Sequence, residues 1–168
     1  VNNRPVWPIF LGLAVAVVVA DQLSKAWIAA TLAPAASMSI VGDNLRLVNS
    51  QNNGALFGLF RDNAALFGLI SIAVVGLIVV YHGRSGRNPY LSVALGLLLG
   101  GALGNMTDRL RLGYVVDFVD AGIGNLRWYT FNVADAAISG AILLLLLLAL
   151  RPSLGEPRPT GRGVVEDG

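Results

Sequence analysis

The 168-residue chain has no cysteine, so it carries no disulfide framework and no thiolate chemistry. It has one histidine, His82, which excludes any site that needs two imidazoles and leaves zinc poorly supplied with ligands. No HExxH, P-loop or glycine-rich dinucleotide fingerprint occurs. Charge is scarce: 13% of residues are charged, against about 25% in a typical soluble domain. No dense basic tract marks a nucleic-acid partner. What fills the space is apolar, at 55% of residues and a mean hydropathy of +0.66, which points to lipid as the main solvent.

Apolar runs fall at about 6–30, 64–81, 90–107 and 132–150. Each run of about 20 residues, at about 1.5 Å per residue, is long enough for about 30 Å of hydrocarbon. The expected fold is therefore an all-α membrane protein with four transmembrane helices. A single domain covers 1–150, and the Pro-, Gly- and Arg-rich tail 151–168 is expected to be disordered. Four spans put both termini on one side. Basic residues divide six against six between the sides, so charge does not orient the chain. Segments 31–63 and 108–131 are not helical in pattern. MSIVGDNLRLVNS alternates around a Gly42-Asp43-Asn44 turn and predicts a hairpin. YVVDFVD followed by AGIGN predicts a second extended piece with its own turn, and the two pieces are expected to pair into a small sheet. His82, in the turn HGRSGRNP, is expected to be a solvated loop residue.

A charge at the bilayer centre costs about 2.5–3.5 kcal/mol on insertion scales, so acids near membrane depth are candidates for chemistry. Asp21, Asp108, Asp117 and Asp135 all fall on one predicted side. Each but one has a structural alternative. Asp135 follows Asn132 as a first-turn acid behind an N-cap. Asp21 and Lys25 form an i,i+4 pair, and Asp108 and Arg109 form a helix-end ion pair. Asp117 has no partner within its own segment. Two carboxylates held together hydrolyse an amide without metal or cofactor, one taking a proton from water and the other donating to the carbonyl oxygen. Their proximity raises one pKa, so the pair shares a proton. Pattern alone leaves all four acids in contention. A proton- or ion-coupled transporter using intramembrane acids and a membrane scaffold with structural ion pairs are the competing readings.

The strings DQLSK (21–25), NNGALFG (52–58), GNMTDRL (104–110), VVDF (115–118) and FNVADAAI (131–138) resemble the lipoprotein signal peptidases, the type II signal peptidases of bacteria. The resemblance covers residues 21 to 138. It implies four transmembrane helices with both termini cytoplasmic, in the inner membrane, and a small sheet and short helix at the extracytoplasmic surface. It also implies an aspartic endopeptidase that cuts diacylglyceryl-modified prolipoproteins before the lipidated cysteine. No cofactor or metal is implied. The catalytic pair becomes Asp117 and Asp135. Asp21, Lys25, Asn52, Gly54, Asn105, Asp108, Arg109, Asn132 and Ala134 become supporting or substrate-binding residues, with Arg109 expected to hold Asp108. Membrane lipid and globomycin-type inhibitors are implied partners, and nothing demands more than a monomer. Thr130 departs from the small residue or proline many members carry there, and AGIGNLRW is unusually Gly-rich; neither touches the pair.

Overall fold

The computed structural model describes residues 4–53 and 64–154, with 64–68 as backbone only. Four helices, α1 (Trp7–Thr31), α2 (Ala64–Arg84), α3 (Pro89–Leu112) and α4 (Val133–Leu150), carry a sheet made of β1 (Ser37–Val41), β2 (Leu45–Asn52), β3 (Val115–Ile123) and β4 (Leu126–Arg127). Among the described residues, α1, α3 and α4 are long and apolar enough to cross a membrane, and α2 contains a shorter apolar stretch, Leu69–Arg84. Gly54 and most of the tail, 155–168, lie outside the described residues, and no separate short helix occurs among the described residues of 31–63 and 108–131.

α3 is the central helix and packs against the other three. Its glycines make this possible. A Cβ on Gly100 would lie 2.6 Å from the Val17 Cβ and 2.8 Å from the Ala14 carbonyl of α1. One on Gly101 would lie 2.5 Å from the Ala134 carbonyl and 2.6 Å from Ile138 Cγ1 of α4. In lipid, where apolar burial drives no helix association, such small-residue contacts let backbones approach closely enough for dispersion to hold them. Phe10, Ala14, Ile78, Leu95 and Leu99 form the apolar core at the other end of the bundle.

Two boundaries differ from the sequence expectation. α3 continues to Leu112 and closes at Gly113, which adopts φ +79 and donates its amide to the Arg109 carbonyl. Asp108 therefore lies inside the helix, not past its end; its polarity marks an inward-facing site and not a helix boundary. α2 likewise runs through His82 to Arg84, and the next helix starts at the Asn88 cap, whose side chain accepts from the Leu91 amide. His82 is fully buried, not solvated. Its ring stacks on Phe10 at 4.0 Å and meets Trp7 edge-on. Ser92 gives its hydroxyl proton to the Asn88 carbonyl, so Ser92 Oγ accepts from His82 Nε2 at 3.1 Å. The imidazole thus ties α2 to α3 beside α1.

The sheet is antiparallel in the order β1-β2-β3-β4, and the β1–β2 turn falls at Gly42-Asp43-Asn44 as the sequence predicts. A bulge lies in β2 between Leu47 and Ser50: Leu47 opposes Val119, whereas Ser50 opposes Asp117. Inside it, Asn49 exchanges backbone hydrogen bonds with Ala35 and Ala36 and donates its side chain to the Leu32 carbonyl at 2.8 Å. That anchors the sheet to the end of α1. β3 starts three residues after α3 ends, and Phe131, just before α4, bridges to Val119. Two short connections hold the sheet close over the ends of α3 and α4.

Gly101→Ala is expected to cost about 1–3 kcal/mol, as overpacking of a tight interface does, whereas Gly12→Ala, with nothing within 4 Å of its Cβ position, leaves stability unchanged or raises it. Thermal or SDS unfolding in mild detergent separates the two; equal midpoints would remove close α3–α4 contact as the basis of the packing.

Candidate functional site

The site begins with one cation. Lys25, on α1, is buried, and its ammonium reaches Asp21 Oδ2 at 2.8 Å, Asp108 Oδ2 at 2.8 Å and Asn105 Oδ1 at 3.1 Å. All three of its protons are thereby used. The two carboxylates carry the link outward. Asp21 Oδ1 accepts the Ala134 amide in the first turn of α4 at 3.0 Å, and Asp108 Oδ2 accepts the Val116 amide of β3 at 3.1 Å. Gln22 donates to Asp108 Oδ1 at 2.9 Å and to Asp21 Oδ2 at 3.2 Å. One ammonium and two carboxylates thus connect α1, α3, α4 and the sheet.

Above this base lies an amide layer. Asn132, the α4 N-cap, is fully buried. Its Oδ1 accepts the Asp135 amide at 2.9 Å, while its own amide donates to Asp135 Oδ2 at 3.3 Å, which is a reciprocal capping box. Its Nδ2 donates to Asp117 Oδ1 at 2.7 Å and to Asn105 Oδ1 at 3.1 Å. Asn105 donates to Asp135 Oδ1 at 2.8 Å. Asn52, at the end of β2, donates to Asp117 Oδ2 at 2.9 Å. The carboxyls of Asp117 and Asp135 therefore meet through Asn132, each oriented by neutral donors that add no charge.

The electrostatics separate the sheet acids. Burial pushes the Asp117 carboxyl up from 3.8 to about 6; donation from Asn52 opposes this, the Asp135 charge adds to it, and Asn132 and Lys25 oppose it. Asp120, on the same strand, goes the other way. Burial works to raise it, but hydrogen bonds and charge from Arg46 and Arg127 outweigh that and hold it below its ordinary value. Asp120 is a structural ion cluster, with Arg46 Nε at 2.9 Å and Arg127 Nε at 2.7 Å. Arg127 also donates to the Asp43 carbonyl at 2.8 Å, which ties the two hairpins together.

Of the residues singled out in the sequence, Asp21, Lys25, Asn52, Asn105, Asp108, Asn132 and Ala134 converge with Asp117 and Asp135 in one network. The Asp21–Lys25 pair forms as spacing predicts, and Asp135 is both the first-turn acid behind the Asn132 cap and a member of the network that holds Asp117. Asp108 finds its ion partner in Lys25, one helix away, where the sequence suggested its neighbour Arg109. Arg109 donates to the Asn105 carbonyl at 3.3 Å and acts through space on Asp135, Asp117 and Asp108. Gln22 was not singled out, although a second polar residue beside Asp21 in an apolar helix was the available signal. Asn49 had none, because its partners depend on the bulge. Among the described residues, no group of three or more His, Cys, Asp or Glu side chains is arranged to hold a metal.

The family model described as Signal peptidase (SPase) II matches residues 13–151. A protein of Syntrophomonas wolfei named lipoprotein signal peptidase is 42% identical over 142 residues, covering 84% of this chain and 93% of its own. Namesakes from Moorella thermoacetica and Pseudomonas fluorescens are 39% and 41% identical, covering 86% and 88% of this chain and 94% and 91% of theirs. Two solved structures of bacterial membrane enzymes, obtained by the in meso method at 2.3 Å and 1.9 Å resolution, superpose with TM-scores of 0.84 and 0.82 at 28% and 30% identity. They cover 96% and 90% of this chain and 99% and 98% of their own.

Removing Lys25 strands two buried carboxylates, so Lys25→Met is expected to lose about 3–5 kcal/mol; unfolding at the wild-type midpoint would show that the pair is not the keystone. Asp117 gives a separate signature. Because its folded pKa lies above the unfolded one, the folded state binds the extra proton between pH 3.8 and about 6, and stability falls as pH rises through that window. Asp117→Asn is expected to lack this falling limb in detergent unfolding curves.

Proposed function

The chain belongs to the signal peptidase II family, and we propose that it removes signal peptides from diacylglyceryl-modified prolipoproteins by a metal-free reaction of Asp117 and Asp135. The observation that carries the reading is the pair itself, two carboxyls joined through Asn132 and held by Asn52 and Asn105. The transporter alternative is set aside: family membership argues against it, and among the described residues every acid lies at the sheet end of the helices, with His82 alone buried and ionisable at the other end.

In the proposed mechanism the pair holds one proton, and Asp117 carries it. A water between the carboxyls attacks the scissile carbonyl as Asp135 takes its proton, while Asp117 donates to the carbonyl oxygen. Collapse of the tetrahedral intermediate returns a proton to the leaving amine. Asn52, exposed at the strand end, orients the peptide, and Gly54, outside the described residues, is the further substrate-side residue that the family resemblance implies. Asn105, Asn132, Asp21, Lys25, Asp108, Arg109 and Ala134 position the pair and do not touch the reacting atoms.

The same reading makes α2 the fourth span and 1–150 one peptidase domain. It puts both termini and the tail in the cytoplasm, and the sheet at the extracytoplasmic face of the inner membrane. Lipid-facing grooves accept the acyl chains and the signal helix of the substrate. Globomycin-type inhibitors compete for the site, and a monomer suffices.

The test is cleavage of a purified diacylglyceryl-modified prolipoprotein in detergent. Asp117→Asn and Asp135→Asn are each expected to lower kcat by about 10²-fold or more, the scale of lost acid–base catalysis. A folded variant that cleaves at the wild-type rate would refute the pair. The kcat/KM profile is expected to fall toward alkaline pH with an inflection near 6, the value of Asp117, read as a property of the coupled pair. A profile flat from pH 5 to 8 would remove Asp117 as the proton carrier.

A further inference from the structure

β3 keeps its side-chain alternation throughout, because the bulge sits in β2. Asp117, Val119, Ala121 and Ile123 therefore share one face, and Phe118, Asp120 and Gly122 share the other. The register extends this into β4. Leu126 opposes Ile123 and Arg127 opposes Gly122, so Leu126, and Trp128 two residues on, lie on the Asp117 face. Arg127 lies on the Asp120 face, as its salt bridge to Asp120 requires. The two faces differ in chemistry. One carries the Arg46–Asp120–Arg127 ion cluster; the other is apolar toward the hairpin tip.

The Asp117 face is turned toward the helices, since Asp117 bonds Asn132 at the N-cap of α4. Near the bundle that face is covered, and Asp117 is buried. Further along it is bare: Ile123 is 79% exposed, Leu126 82% and Trp128 75%. The bundle ends beneath the sheet in exposed apolar residues of its own, Trp27 on α1 and Leu110 and Leu112 on α3. A surface that shares the bundle-facing side of the sheet, is exposed beyond the part the helices cover, and pairs aliphatic side chains with an indole matches the interfacial layer of a bilayer, where tryptophan concentrates.

We propose that the β3–β4 hairpin is a second membrane attachment, with Ile123, Leu126 and Trp128 immersed in the headgroup–acyl boundary beside the helices and the ion cluster held toward water. The hairpin fixes the height and tilt of β3, and so of Asp117, relative to the lipid surface. This holds for either face of the membrane and does not depend on the reaction assigned to the site.

The chain has no cysteine, so Leu126→Cys and, separately, Ile123→Cys give unique positions for a nitroxide label in proteoliposomes. Leu146→Cys on the exposed side of α4 supplies the lipid reference and free label in buffer the aqueous one. The expected result at both hairpin positions is collision with oxygen favoured several-fold over collision with a water-soluble nickel complex, relative to free label, at an apparent depth shallower than position 146. Water-like accessibility at both positions overturns the proposal. So does protection accompanied by spin–spin broadening that vanishes on dilution with unlabelled protein, which would mean a second copy, or protection that appears only when prolipoprotein is added. Cleavage by the labelled protein, assayed alongside, reports folding, so water-like labels on an active enzyme would refute the attachment while leaving the proposed function standing.

Discussion

The ammonium of Lys25, enclosed by Asp21 and Asp108, is the contact on which the rest of the molecule depends. A lone charge at this depth is unfavourable, and two carboxylates facing one another are worse; the three become tolerable only together and only when every remaining lone pair is met. The chain meets them with an amide of α4, an amide of β3 and the Gln22 side chain, while the Asn105 side-chain oxygen accepts the third proton of the ammonium. The electrostatic requirement of one side chain thereby sets where α4 begins and where β3 leaves α3. The acids that the sequence left in contention divide accordingly. Asp21 and Asp108 are held by the cation, whereas the side-chain hydrogen bonds described for Asp117 and Asp135 come from the amides of Asn52, Asn105 and Asn132.

A neutral amide layer between a charged base and the Asp117–Asp135 pair has a specific effect. Asparagine both donates and accepts, so Asn132 and Asn105 transmit the position of the lower network to the upper one without imposing a net charge. A lysine or arginine in direct contact would fix the Asp117 carboxyl as an anion and suppress the proton-carrying role proposed for it. Amide contacts orient it while burial and the Asp135 charge keep its proton within reach near pH 6.

Much of this was legible in the sequence because the bilayer makes polarity informative. The helices, the Gly42 turn, the Asp21–Lys25 spacing and the Asn132 cap are local patterns, and they appear where expected. What failed was the habit of ending a helix at its first charge, which cut α3 short at Asp108, and of assigning a histidine near glycines to a loop, which misplaced His82. In both cases the polar residue faces protein instead of water, and only the neighbouring helix reveals that. Asp108 choosing Lys25, Asn49 stapling β2 to α1, and Asp120 joining two hairpins are contacts between distant segments with no periodic signature.

The bulge between Leu47 and Ser50 shifts the parity of β2. Before it, odd-numbered residues share the Asp117 face; after it, even-numbered ones do, so that Ser50 and Asn52 point where Asn49 and Gln51 otherwise would. The amide that meets Asp117 thus comes from a strand that carries one residue more than its partner across the bulge. Deleting one residue between Leu47 and Ser50 would close the bulge and leave Ser50 and Asn52 on the Asp117 face, so what the extra residue supplies is the diversion of Asn49 out of the ladder, where its side chain staples β2 to the end of α1.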